Sequence, residues 1–148
     1  MEIKIRRGDT SDIPFLTGLE RECFSSPWSE VSFADFFENS ASRCLIAEVD
    51  SVPCGYVGCY LILGDGEITN LAVTEKFRRH GVGAALIGHL SCLEGTNRLL
   101  LEVRESNAAA RGLYEKLGFK VDGVRRGFYE KPREDAILMS LQIDSKEN

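Results

Sequence analysis

Two glycines follow two arginines and a histidine in Arg78-Arg79-His80-Gly81-Val82-Gly83-Ala84. That set of residue types suits an anion. Glycines let the backbone turn tightly and approach a ligand closely. A helix opening just after them leaves its first N–H groups aimed outward, as a phosphate or pyrophosphate requires. Arg78 and Arg79 add positive charge. The segment is not a P-loop, because no Gly-Lys-Ser/Thr ending is present. It is not a dinucleotide fingerprint, because Ala84 follows Gly83 directly and a third glycine is missing. A plain strand-to-helix turn accounts for the same residues.

Glu102 stands inside the apolar run Leu99-Leu100-Leu101-Glu102-Val103-Arg104. In a strand, Leu99, Leu101 and Val103 share one face, while Leu100, Glu102 and Arg104 share the other. A carboxylate in so apolar a strand is costly to bury without a partner. Burial would raise its pKa toward that of a general base. An ordinary ion pair with Arg104 or Arg98 fits equally well. Tyr114 is either a core residue or a proton donor to a leaving thiolate, since its hydroxyl sits at a fixed reach. Asn107 is either a helix cap or a ligand contact. His80 lies in a loop and His89 in mid-helix, and neither has a visible partner for catalysis.

These residues need a scaffold, and the remaining sequence describes one. Residues 2–6 alternate as a strand. Thr10, Ser11 and Asp12 offer helix caps with Pro14 in a first turn. A helix then runs to about Cys23, with Ile13, Leu16, Leu19 and Glu20 at helical spacing. Ser25-Ser26-Pro27 ends it, and Ser29 caps a second helix carrying Val31, Phe33, Phe36 and Phe37. Strands follow at 43–49 and 55–62. Gly64-Asp65-Gly66 marks a hairpin into a strand at 67–73. After the polar segment TEKFRRHG, a helix runs from about Val82 to Glu94. Residues 98–104 form a strand of the kind buried on both faces. Ser106 or Asn107 caps a short helix with Ala110, Leu113, Tyr114 and Leu117 on one side. Gly118 and Phe119 complete its C-terminal motif. Strands near 120–127 and 134–142 close the chain, and the tail over 143–148 is expected to fray. The order describes an α/β mixed sheet in a single domain spanning residues 1–148.

The 148 residues suffice for one core. A net charge of −5 excludes a general nucleic-acid binder with a basic footprint. It leaves long-range attraction of a basic protein or peptide open. With 43% hydrophobic and 28% charged residues, disorder, collagen and coiled coil are excluded. No apolar run approaches the roughly 18 residues of a membrane helix. The opening MEIKIRRGDTSD turns polar at once, unlike a signal peptide. The chain is therefore expected in a reducing cytoplasm, away from membranes. Five cysteines, at 23, 44, 54, 59 and 92, form no C-x-x-C pair. They are expected as small buried hydrophobes, with no metal site and no disulfide framework.

The strand NLAV, the loop RRHGVGAALI, the strand LLLEVRESN and the helix NAAARGLYEKLGF resemble the GNAT acetyltransferase superfamily in order and spacing. SPWSE at 26–30, LEVRESNAAARGLYEKLGF and GVRRGFYEKPREDAILMSL narrow the resemblance to its ribosomal-protein-alanine N-acetyltransferase (RimI) type. It covers about residues 3–141. The resemblance implies the GNAT acyl-CoA N-acyltransferase fold, a mixed sheet of about six to seven strands flanked by about four helices. It implies acetyl transfer from acetyl-CoA to a protein N-terminal α-amine, such as the alanine of a small-subunit ribosomal protein. Carried over residue by residue, it implies that Leu71, Ala72 and Val73 bond the pantetheine arm. Arg79, His80, Gly81, Val82, Gly83 and Ala84 would hold the pyrophosphate, and Asn107 would contact CoA. Glu102 would be the proton acceptor and Tyr114 the proton donor.

Two positions depart from the pattern. Glu75 stands where the family often has proline, and Phe128 where two tyrosines usually adjoin. The second bears on acceptor choice. Acetylation of lysines or small amines remains an alternative within the superfamily. A CoA-binding module without turnover is an alternative outside it, disfavoured by intact Glu102 and Tyr114. Glu130, Glu134 and Asp135 near the last hairpin are candidates for holding an arginine-rich peptide. The sequence is silent on oligomeric state.

Overall fold

A computed structural model of the chain describes residues 1–143; the expected frayed tail lies, apart from Ile143, outside the described residues. The elements in chain order are β1 (Ile3–Arg7), a 3-10 turn (Thr10–Asp12), α1 (Ile13–Cys23), α2 (Glu30–Glu38), β2 (Ser42–Val49), β3 (Val52–Ile62), β4 (Asp65–Val73), a second 3-10 turn (Glu75–Phe77), α3 (Val82–Ser91), β5 (Arg98–Arg104), α4 (Ala108–Lys116), β6 (Lys120–Glu130) and β7 (Arg133–Gln142). The strands form one seven-stranded sheet in the order β1-β2-β3-β4-β5-β7-β6. Every neighbouring pair is antiparallel except β4 and β5.

Alternation along the strands sends side chains to two separate cores. Leu45, Ala47, Val57, Leu99, Leu101 and Val103 meet α3 and α4 on one face. Cys44, Ile46, Tyr56 and Ala72 meet α1 and α2 on the other. On that second face Trp28 packs on Phe33 and Phe36 at ring separations of 5.2 and 5.9 Å. Ser29 caps α2 by accepting the Ser32 N–H at 3.1 Å.

Several expectations are corrected. Val31 is 69% exposed, because α2 turns only Phe33 and Phe36 fully inward. The β3–β4 turn falls at Leu63 and Gly64, both with positive φ, so Asp65 and Gly66 already belong to β4. β5 buries one face only; Leu100, Glu102 and Arg104 line a cleft. Three cysteines, Cys44, Cys54 and Cys59, are buried, whereas Cys23 is half-buried and Cys92 exposed. Burial pushes the Cys44 thiol up to about 12 and that of Cys59 to about 11, so both remain neutral core groups.

Asp9 caps the first 3-10 turn, and Asp12 caps no helix with its side chain. Its carboxylate instead accepts from Arg6 at 2.8 and 3.0 Å and from the Asp9 N–H at 2.9 Å. The Arg6 guanidinium holds the Asp12 carboxyl below its ordinary 3.8. A group with a depressed folded pKa stabilises fully above the unfolded value and loses that contribution as pH falls through the folded one. Arg6 is 39% exposed, which screens the pair. Asp12→Asn should therefore lower stability by about 1–2 kcal/mol at neutral pH. Urea midpoints of the two proteins should draw together as pH falls below the ordinary carboxylate range; a gap unchanged between neutral and acid would contradict this account.

Candidate active site

β4 and β5 pair over three rungs only, Asp65 with Arg98, Gly66 with Leu99 and Glu67 with Leu100. Beyond Glu67 and Leu100 the two strands separate, although β4 continues to Val73 and β5 to Arg104. On its other side β4 stays paired with β3 as far as Val73. One edge of Ile68–Val73 therefore has no strand partner and offers backbone donors and acceptors to the gap. The register on β3 jumps from Cys59–Ile68 to Gly58–Asn70, which makes Thr69 the extra residue of a β-bulge. The gap opens into a cleft of about 860 Å³.

Four predicted residues meet there: Leu71, Glu102, Asn107 and Tyr114 all line the cleft. Leu71 packs against the α3–α4 core and Ala72 belongs to the α1–α2 core. In the register set by the Thr74 N–H bond to the Cys54 carbonyl, Ala72, 4% exposed, turns its backbone groups to Tyr56 of β3, while Leu71 and Val73 turn theirs to the gap. The Val73 carbonyl already accepts from Arg78 Nε at 3.0 Å.

Glu102 does not sit in the buried setting its strand suggested. Its side chain is 35% exposed and faces Arg125, not Arg104 or Arg98, with Nη1 at 3.2 Å from Oε2. The argument from desolvation is thereby removed; what remains is a carboxylate on the cleft wall held by one arginine. Arg125 lies 5.2 Å from the centre of the Phe128 ring. Arg104 stacks on Tyr129 at 4.2 Å and bonds to Glu134 at 3.2 Å.

Tyr114 comes from α4, packed at 5.3 Å from Phe119 and 6% exposed. Burial first, then the neighbouring Tyr129, pushes its hydroxyl up to about 12. The phenol is thus a donor throughout the neutral range. Asn107 is the N-cap of α4 and accepts the Ala110 N–H at 3.1 Å. Its amide N–H2 remains for another partner, so the cap and contact readings are compatible.

The glycine loop lies at the start of α3. Gly81 is the N-cap with φ +85°, and Arg79 also has positive φ, at +65°. The first helical bond runs from Ala85 to Gly81, so the N–H groups of Val82, Gly83 and Ala84 precede it. His80 is exposed and its Nδ1 lies 2.9 Å from the Arg78 carbonyl. The two glycines do different work. A Cβ at Gly81 would meet nothing, so the residue is needed for its left-handed backbone. A Cβ at Gly83 would come within 3.2 Å of Leu113, so that residue sets how closely α3 approaches α4.

Of the acidic hairpin, Glu134 is committed to Arg104 and to the Ser106 N–H. Asp135 accepts the Gly127 N–H at 2.8 Å. These contacts organise the turn, whereas the Glu130 side chain makes no hydrogen bond or ion pair to another described residue.

Sequence reasoning passed over Glu20, Asn70, Arg125 and Tyr129, which also line the cleft. Only Glu20 left a signal, as a charged residue on the buried stripe of α1.

The model of the acetyltransferase (GNAT) family matches residues 13–119. The ribosomal protein bS18-alanine N-acetyltransferase of Escherichia coli K12 is 38% identical over 142 residues, covering 91% of this chain and 94% of that protein. The protein of the same name from Haemophilus influenzae is 32% identical, covering 91% and 95%. The crystal structure of the ribosomal-protein-S18-alanine N-acetyltransferase from Escherichia coli superposes with a TM-score of 0.90 at 33% identity, covering 99% of this chain and 97% of that one. A cleft between splayed parallel strands, a glycine-capped helix beside it and likeness along nearly the whole length make this chain a member of the GNAT acetyltransferase family.

Proposed function

We propose that the chain transfers the acetyl group of acetyl-CoA to the N-terminal α-amine of a protein, the alanine of a small-subunit ribosomal protein being the first candidate. The observation that carries the reading is the splay of β4 from β5, with Glu102 and Tyr114 on one cleft. The names of the relatives supply the candidate acceptor.

The residues present fit acetyl-CoA as cosubstrate. The free edge of β4 at Leu71 and Val73, with Ala72 bonded to β3 between them, suits the amides of a pantetheine arm. The loop from Arg79 to Ala84 suits a pyrophosphate, through N–H groups and the charge of a helix N-terminus. Asn107 offers a further donor. The thioester supplies an activated acyl carbon.

The chemistry then runs on this chain's own groups. An α-amine has an ordinary pKa of about 8, against about 10.4 for lysine. Glu102, directly or through a water, takes its proton. The nitrogen bonds to the acyl carbon, and backbone N–H groups of β4 stabilise the oxyanion. The carbon–sulfur bond breaks and the thiolate receives the Tyr114 proton; the nitrogen then sheds its second proton, which restores the phenol by way of solvent. Holding both reactants in one cleft accounts for much of the acceleration.

Peptides that differ in their first residue, each with the α-amine free or blocked, test the reading by mass spectrometry. Acetylation confined to free α-amines supports it, and equal labelling of blocked peptides at lysine contradicts it. The loop is tested separately. Gly81→Val forces a β-branched residue into the left-handed region, at a cost of about 1–2 kcal/mol or more. Calorimetry should give CoA binding weaker by about tenfold. Undiminished binding would assign the loop another role.

A further inference from the structure

Glu20 is 1% exposed, yet it borders the same cleft. Its Oε1 accepts the Trp28 N–H at 2.8 Å, and its Oε2 accepts from Tyr56 Oη at 2.6 Å and Asn70 Nδ2 at 2.8 Å. All three partners are neutral donors, and no lysine, arginine or histidine among the described residues pairs with it. A buried carboxylate without a cation is costly. Nothing in the chemistry derived above uses it.

Its partner Asn70 has a defined position. On β3, Gly58 pairs with Asn70 two rungs beyond Tyr60 and Glu67, because Thr69 is bulged out. Glu102 lies two residues beyond Leu100, the partner of Glu67. Asn70 and Glu102 therefore stand level on the two diverging strands. They also share a sheet face, since Asn70 alternates with Ala72 of the α1–α2 core and Glu102 points away from the α3–α4 core. With its N–H2 committed to Glu20, Asn70 has its carboxamide oxygen left to offer.

We propose that Asn70, oriented by Glu20, is the subsite for the acceptor's N-terminal ammonium, opposite Glu102. The Asn70 oxygen accepts an ammonium N–H, and the Glu20 carboxyl behind it, held by three neutral donors, fixes the amide so that this oxygen is the one presented. Asn70 is a binding residue and Glu20 a positioning residue. The subsite discriminates a free α-amine from an acylated one, which has neither the charge nor the donors. This rests on the acetyl-transfer reading, and the test separates the two.

A short peptide beginning with alanine, with its α-amine free or acetylated, is titrated calorimetrically into the protein loaded with CoA. Wild type should favour the free amine by about tenfold or more, the scale of a charge-assisted bond. Asn70→Leu should abolish that preference with CoA affinity unchanged, at a melting temperature lowered by the loss of one donor to the buried Glu20. Asn70→Ser serves if the leucine variant fails to fold. Tyr56→Phe, which leaves the Asn70 bond to Glu20 in place, should keep the preference. An equal affinity of wild type for both peptides, or a preference surviving in the Asn70 variants, overturns the subsite. Turnover with acetyl-CoA is read separately: a wild type that binds the free amine through Asn70 yet transfers nothing upholds the subsite and overturns the transfer reading.

Discussion

Glu102→Gln should lower the maximal rate of acetylation by a factor on the order of 10²–10⁴, the usual scale of a positioned general base. Glutamine keeps the shape and cannot take a proton. The loss should shrink as pH rises past about 8, where the α-amine sheds its proton unaided. Stability should change little, because the carboxylate is 35% exposed and its one ion pair is with an arginine 56% exposed. Initial rates across a pH series, with melting curves as a control, check both halves. A variant within a few-fold of wild type at neutral pH would move the base elsewhere.

Tyr114→Phe is expected to slow the chemical step by a factor on the order of 10². The ring keeps its packing on Phe119, and no hydrogen bond of the hydroxyl to another described residue is lost. CoA affinity should stay the same. Burial pushes the phenol up to about 12, so the wild-type donor keeps its proton well above neutrality. Single-turnover rates with saturating acetyl-CoA isolate this step. Normal single-turnover rates in the phenylalanine variant would leave the leaving sulfur to be protonated by water or another group.

Much of this site was legible in the sequence because local rules place it. Gly81 is where a left-handed residue must stand, and Asn107 is where a cap must stand. The alternation in LLLEVR put Glu102 on the face opposite Leu99, Leu101 and Val103, as found. What failed was the step from alternation to burial. Strand periodicity says which residues share a face, not whether a helix packs over it. The core under α1 and α2 draws on β2, β3 and β4, which leaves the Glu102 face of β5 to the cleft, and that depends on long-range packing. The partners of Glu102 and Glu134 were illegible for the same reason. Arg125 lies 23 positions beyond Glu102 (125 minus 102), and only the antiparallel return of β6 and β7 brings it near. Glu134 looked like a free surface carboxylate until the fold set it against Arg104 and Ser106. Glu20 was visible as an oddity on an apolar stripe, but its three donors come from a loop, β3 and β4, which no local pattern connects.

The central claim, acetyl transfer to a protein α-amine, is tested most directly by one competition. Two versions of a ribosomal-protein N-terminal peptide beginning with alanine are mixed with the protein and acetyl-CoA. One has its lysines blocked and its α-amine free; the other has its α-amine blocked and its lysines free. Mass spectrometry at early times should find acetyl groups on the first version alone. Acetylation of the second at an equal or greater rate would contradict the account and make the chain a lysine acetyltransferase.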